Sequence, residues 1–155
     1  MLFRSLTKGA GTYQAGIAGR LPTITYTGAL NNIRYQVSIV EISNRPAEAV
    51  NLFEEMEYIT ELGGKEIGND EVGIEPGKLR HYGRELVLQL KDGSLERTVL
   101  LYHKGRIFRT IATVAPGGDK ESIYPERFCD SLIVDLAPSF RERDANPDNF
   151  KPGKL

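Results

Sequence analysis

The sequence is poor in the residue types that carry most recognisable chemistry. Its 155 residues include one cysteine, two histidines and no tryptophan. The single cysteine, Cys129, excludes an intramolecular disulfide and a cysteine-cluster zinc site. The net charge of −1 gives the chain no overall attraction for nucleic acid or anionic lipid. No apolar run approaches the roughly 20 residues that a membrane helix needs, so we expect no membrane span.

Catalytic and nucleotide-binding motifs are also missing from the sequence. There is no Gly-x-Ser-x-Gly nucleophile motif. The early glycines, Gly9, Gly11, Gly16 and Gly19, lack Gly-x-Gly-x-x-Gly spacing, and no Gly-Lys-Ser/Thr follows them. The sequence therefore predicts a protein that is not an enzyme and binds no cofactor.

The first residues, Met1–Leu6, contain no apolar core of a signal peptide. As written, the chain is expected in the cytoplasm; it would be periplasmic if an export signal has been removed. Composition is that of an ordinary globular protein, with 40% hydrophobic and 26% charged residues. We expect a flexible segment over 1–11, one domain over 12–136, and a polar, extended or disordered tail over 137–155.

The central and C-terminal parts of the domain have the patterns of β-strands. In Ile33–Ile42, apolar and polar residues alternate, which is typical of a half-buried strand. The Asp92-Gly93 pair is a strong hairpin signal. It links two of three consecutive strands that form an antiparallel meander, predicted at Lys78–Leu90 (bent at Gly83), Leu95–His103 and Arg106–Val114. Weaker strand patterns cover Thr12–Ala18, Thr23–Thr27 and Lys65–Ile74.

Two helices and a last strand complete the prediction. A helix over Pro46–Leu62 has apolar residues at spacings of three and four, which form one stripe: Ala49, Leu52, Phe53, Met56, Ile59 and Leu62. A short helix is expected over Tyr124–Ser131 and a short strand over Leu132–Asp135. The predicted class is α+β: an antiparallel sheet of six to eight strands packed against one long amphipathic helix and a short late helix.

This order of elements resembles the PsbP-like fold. Locally, the run Gly105–Thr113 followed by Glu126–Leu132 is similar to the end of many small exported bacterial domains of unknown function. The resemblance covers roughly Thr12 to Asp135 and departs from the pattern at Phe108 and Leu132, which replace the usual aromatics. It implies a binding or assembly protein and transfers no catalytic residue.

The few chemically active side chains favour structural roles. His81 and Glu85 lie about 13 Å apart on a strand at ~3.3 Å per residue, too far to share a metal ion, so no metal site is expected. Asp130 beside Cys129 disfavours a thiolate, so Cys129 is interpreted as a small buried hydrophobe rather than a nucleophile.

Charge is unevenly distributed along the chain. The helix carries five acids and no bases between Glu48 and Glu61, whereas Lys78–Arg109 has eight bases and three acids. Either these bases pair with nearby acids, or some form a basic surface that orients a charged partner. The candidate binding residues of such a surface are Arg80, Arg84, Lys104, Arg106 and Arg109.

Strands Leu95–His103 and Arg106–Val114 carry apolar residues at both odd and even positions. A sheet with one wet face alternates more cleanly, so the second face is expected to be partly covered. The favoured hypothesis is a non-enzymatic binding or assembly domain that contacts a protein partner, or a second copy, through the sheet or hairpin ends. The alternative is a small-molecule or lipid pocket between helix and sheet. Nucleic-acid binding is not expected, because the basic strands lack interleaved exposed aromatics.

Overall fold

The computed structural model describes residues 7–15, 19–42, 49–72, 83–103 and 105–136. These residues form seven strands and two helices of 13 residues each. The strands are β1 (Thr7–Ala15), β2 (Gly19–Leu30), β3 (Ile33–Glu41), β4 (Gly64–Glu71), β5 (Gly83–Leu90), β6 (Leu95–His103) and β7 (Arg106–Val114). The helices are α1 (Ala49–Glu61), between β3 and β4, and α2 (Tyr124–Leu136), after β7.

All seven strands belong to one antiparallel sheet with the order β1-β2-β3-β7-β6-β5-β4. Strand β7 is therefore central, and β1 and β4 are the two edges. The α+β class and the meander β5-β6-β7 are confirmed. The chain leaves the sheet after β3, forms α1, and returns at the opposite edge as β4.

Turn residues fix the strand register at two hairpins. Asn31 and Asn32 have φ angles of 54° and 62°, the left-handed conformation that a two-residue hairpin requires at both positions. Gly93 has φ of 87°, and the preceding Asp92 carboxylate accepts a hydrogen bond from the Ser94 backbone N–H at 2.8 Å. The turn signals in the sequence therefore had the expected physical basis.

The two helices cover opposite faces of the sheet. Helix α1 packs Phe53 and Met56 over the face that carries the even-numbered residues of β6, such as Leu100. Helix α2 packs Cys129 and Phe128 over the odd-numbered face; the Phe128 ring meets Tyr35 edge-on at 4.9 Å between centroids. This explains why both parities of β6 and β7 are apolar, and confirms that the second face is partly covered.

Three predicted element boundaries are corrected by the structure. Strand β1 begins at Thr7 rather than Thr12, within the segment that we expected to be flexible, and β2 extends from Gly19 to Leu30. Helix α2 continues to Leu136, so the predicted strand over Leu132–Asp135 is wrong. Its Leu-Ile-Val run has high β-propensity, but the covering of the second face by a helix outweighs that local preference.

The stripe predicted on α1 is only partly buried. Leu52, Phe53 and Met56 are buried, whereas Ile59 and Leu62 are half or more exposed. Thr60 takes the next buried position, and its hydroxyl donates to the Met56 carbonyl oxygen at 2.7 Å. The predicted helix start at Pro46, the part of the predicted strand before Gly83 and the tail 137–155 lie outside the described residues. Among those described, neither helix is long and apolar enough to cross a membrane.

Candidate functional site

Of the three predicted basic residues that the structure describes, Arg84 and Arg109 lie on the face of α1 and Arg106 lies on the face of α2. Arg84 lies on the face of α1, where its Nε donates to a Glu57 carboxylate oxygen at 3.0 Å. Arg106 lies on the face of α2 and is paired with Glu41 at 2.8 Å. Arg80 and Lys104 fall outside the described residues. Opposite charges therefore neutralise two of the candidates on separate faces of the sheet.

Arg109 differs from the other described candidates because one of its nitrogens is buried without a partner. It projects from the central strand β7 on the face of α1, directly between Ser38 of β3 and Leu100 of β6. Its Nε is shielded from solvent and has no hydrogen-bond partner. Burial lowers the pKa of this guanidinium, while the nearby Glu96 and Tyr13 raise it.

Cys129 and the histidines form no catalytic arrangement among the residues that the structure describes. The Cys129 thiol is buried and donates to the Arg97 carbonyl oxygen at 3.7 Å. Burial raises the pKa of the Cys129 thiol to about 12, which keeps it protonated at neutral pH. His103 lies on β6 opposite Arg106, and His81 is outside the described residues. Within the described ranges, no three or more histidine, cysteine, aspartate or glutamate side chains form a metal-binding group.

A carboxylate cluster lies around Arg97 of β6 and includes residues of β5 and α2. Glu85 is paired with Arg97, and Asp130 and Glu126 of α2 are near enough to act on it electrostatically. Burial, followed by the other carboxylates, raises the pKa of Glu85, although Arg97 opposes the shift. Burial and Glu126 likewise raise the pKa of Asp130, whereas Arg97 lowers it. Arg97 thus lowers the pKa of both carboxyls without cancelling the effect of burial.

An apolar area remains on the face of α2, beyond the footprint of that helix. Helix α2 contacts β3, β6 and β7. On β2 and β3, Ile24 lies opposite Ile39, and Tyr26 lies opposite Val37. We call these four residues the β1–β3 patch. Ile24 is 36% exposed and the other three are half-buried.

The edge strand β1 borders this patch. Residues 7–12 are exposed, and Lys8 is the only charged residue in the strand. The ammonium nitrogen of Lys8 lies 5.8 Å from the centre of the Tyr26 ring. The signal for the patch was present in the sequence, since Ile24 and Tyr26 alternate with three threonines. It pointed to a half-buried strand without revealing that the covering helix stops short of it.

The alternative hypothesis is a small-molecule or lipid pocket between helix and sheet. Met56 of α1 packs on one face of the sheet and Tyr35 packs with α2 on the other, so these two residues do not line a common cavity. Beneath α1, Phe53, Leu100 and Ile107 have no solvent exposure. The interface between that helix and the sheet is filled at these residues.

Comparisons with known proteins add no family assignment. The chain has no significant match among protein-family models, curated proteins or solved structures. The resemblance to the PsbP-like fold thus stays a prediction, and the function must be inferred from the geometry above.

Proposed function

We propose that this protein is a non-enzymatic binding domain that receives an extended segment of a partner protein along β1 and over the β1–β3 patch. The observation that carries the proposal is a sheet edge that pairs with no further strand among the described residues, next to a partly exposed apolar area. Added strands gain main-chain hydrogen bonds from the edge and specificity from contacts with alternate side chains.

The edge itself favours strand addition. Strand β1 has nine residues and no proline, and Lys8 is its single charge, so it has few of the features that usually prevent edge-to-edge pairing. Its register with β2 runs without interruption from Thr7 to Ala15. An extended partner segment would extend the same regular ladder.

The patch supplies the side-chain contacts. An apolar residue of the partner lying over β1 on the face of α2 would meet Ala10 and reach Ile24, which is opposite Ala10. Lys8 and the exposed Arg20 lie on the same face as Ile24. The complementary segment would therefore alternate apolar residues with polar ones and carry a carboxylate beside Lys8 or Arg20.

The test uses a displayed random-peptide library, followed by a synthetic copy of the enriched peptide. We expect that peptide to slow amide exchange in β1. We also expect Ile24→Lys to weaken its binding by about tenfold or more, because the substitution places a desolvated charge in the contact. Ala29→Lys is the matched control: it adds the same charge to β2 at an exposed position on the opposite face, and should change affinity less than about twofold.

Three results would contradict the proposal. The library could yield no peptide, the enriched peptide could protect elements other than β1, or both lysine variants could bind it equally. Sedimentation of the protein alone shows whether the partner is a second copy of this chain. Self-association that Ile24→Lys abolishes and Ala29→Lys does not would identify a second copy rather than a different protein.

A further inference from the structure

Arg109 lies in the middle of the sheet, on the face opposite to the β1–β3 patch. Along β7, its side chain follows Ile107, which packs with α1, and precedes Ile111 on the same face. Its strand neighbours across the ladder are Ser38 and Leu100. This places the guanidinium at the margin of the area that α1 covers.

The Nε of Arg109 is buried and has no hydrogen-bond partner. The ion pairs among the described residues use Arg84, Arg97 and Arg106, but not Arg109. Glu96 acts on Arg109 electrostatically, yet its Oε1 accepts a hydrogen bond from the Thr98 hydroxyl at 3.3 Å. A buried donor without an acceptor costs about 1–3 kcal/mol, and more when it is charged. An acceptor from outside the chain would remove that cost.

The side chains beside Arg109 are small donors. The Gln36 side-chain amide donates to the Ser38 Oγ at 3.2 Å, and the Thr25 and Ser38 hydroxyls are 3.3 Å apart. All three residues lie on the same face as Arg109. A guanidinium bordered by hydroxyl and amide donors suits an oxyanion, and its planar fork matches a carboxylate through two parallel hydrogen bonds.

Charge and shape narrow the class of ligand. Among the described residues, Arg109 is the one cation with a buried, unpartnered nitrogen, and Glu96 offsets part of its charge, so a monoanion fits better than a doubly charged phosphate. The apolar side chain of Ile111 adjoins Arg109 on this face. We propose that Arg109, assisted by Ser38, binds the carboxylate of a small organic acid whose apolar part lies against Ile111. This site is independent of the proposed partner site, because the two are on opposite faces.

The test is a titration of isotope-labelled full-length protein with benzoate, acetate or inorganic phosphate at constant ionic strength, observed at the Arg109 Nε–H NMR signal. Benzoate should shift that signal saturably. Arg109→Gln should weaken binding by about tenfold or more, and Arg109→Lys by a similar factor, because an ammonium cannot form the paired hydrogen bonds.

Arg34→Gln is the matched control. Arg34 is exposed on β3 and on the same face, so it shares the general charge of the region without adjoining Ser38. Its replacement should alter benzoate affinity less than about twofold. Ser38→Ala provides a second variant that retains the buried guanidinium, and should weaken binding severalfold through the loss of one hydroxyl donor.

Several outcomes would overturn the assignment. An unshifted Arg109 signal in the wild type excludes the site, even if Arg109→Gln fails to fold. Saturation by phosphate but not by benzoate would show that the carboxylate assignment is wrong. Equal losses of benzoate affinity in Arg109→Gln and Arg34→Gln would show that the binding is only nonspecific attraction between charges. Undiminished binding by Ser38→Ala would contradict the proposed role of the Ser38 hydroxyl. None of these results bears on peptide binding at β1, so the two proposals fail separately.

Discussion

The two edges of the sheet are built in contrasting ways. Strand β4 carries four charged residues in eight, and its register shifts between Glu66 and Gly68. It is also tied to α1, since the Asn69 side-chain amide donates to a Glu61 carboxylate oxygen at 3.1 Å. Strand β1 has one charge in nine residues, an unbroken register, and residues 7–12 exposed.

The contrast between the two edges supports the proposal that another chain pairs with the sheet at β1 and not at β4. Charges and a bulge are common means of preventing a sheet edge from pairing, and β4 has both. Strand β1 has one charge, Lys8, and no bulge in its register with β2, and the neighbouring face carries Ile24 and Tyr26. On the face of α1, Leu21 and Tyr13 pack into the core beneath that helix, whereas Ile24 on the face of α2 stays 36% exposed. This one-sided cover supports the proposal that a partner strand adds to the sheet at β1.

The largest predicted effect tests the packing on which the comparison depends. Phe53→Ala should lower the free energy of unfolding by about 3–5 kcal/mol, because the Phe53 side chain is fully buried between α1 and the sheet and its loss leaves a cavity. Ile24→Ala should cost about 1 kcal/mol or less, because its side chain already contacts solvent. Urea denaturation of both variants measures the difference. Similar losses would show that the β2 side is as tightly packed as the α1 side.

Substitution of one glycine near each edge, Gly83 in β5 and Gly9 in β1, should give an effect on stability of intermediate size. A Cβ on Gly83 would lie 2.1 Å from the Val72 carbonyl oxygen, at the point where the Val72 N–H donates to the Gly83 carbonyl oxygen. Gly83→Ala should therefore cost about 1–3 kcal/mol through forced displacement of the backbone. A Cβ on Gly9 of β1 would have no atom within 4 Å, so Gly9→Ala should be neutral or slightly stabilising.

Amide exchange locates the damage caused by each glycine substitution. Gly83→Ala should accelerate exchange in β4 and β5 and leave β1 unchanged. A cost for Gly9→Ala comparable with that of Gly83→Ala would mean that β1 is packed against something on its open faces, and the contrast between the edges would fail.

The fold was more predictable from the sequence than the candidate site was. Strands β6 and β7 were predicted with the bounds that the structure has, because Asp92-Gly93 and the β-branched runs act locally. The C-terminal half of α2 was missed, since Leu132–Val134 reads as strand until the sheet beneath it is known. Which strand is an edge, and where a helix stops covering a face, depend on the order β1-β2-β3-β7, which no local pattern contains.

The arginines illustrate the same limit at the level of side chains. Counting charges along the chain predicted an excess of bases on the meander, but pairing of Arg84 with Glu57 and of Arg106 with Glu41 depends on elements distant in sequence. The isolation of Arg109 is likewise a property of its register opposite Ser38.

The smallest predicted effect concerns pH and separates the half of the sheet near β4 from the half near β1. In the folded state, burial raises the pKa of Glu85 above its ordinary value of 4.5 and that of Asp130 above 3.8. The folded protein therefore binds more protons than the unfolded chain between the ordinary and the raised values. By linkage, the contribution of these groups to stability is complete below the ordinary values and is lost as the pH rises through the raised ones.

Asp130→Asn should consequently reduce the dependence of stability on pH. At neutral pH the variant should be as stable as the wild type or slightly more so, by less than about 1 kcal/mol, because solvent screens a partly exposed carboxylate and Arg97 loses only one of its neighbours. Glu121→Gln, an equal change of charge at an exposed position before α2, should leave the slope unaltered. Amide exchange should slow in α2 and β5 as the pH falls, after correction for intrinsic rates, whereas β1, whose described residues include no carboxylate, should not respond. A marked loss of stability in Asp130→Asn at neutral pH would show instead that the attraction between Asp130 and Arg97 outweighs burial, and that the carboxylates hold α2 in place rather than loosen it.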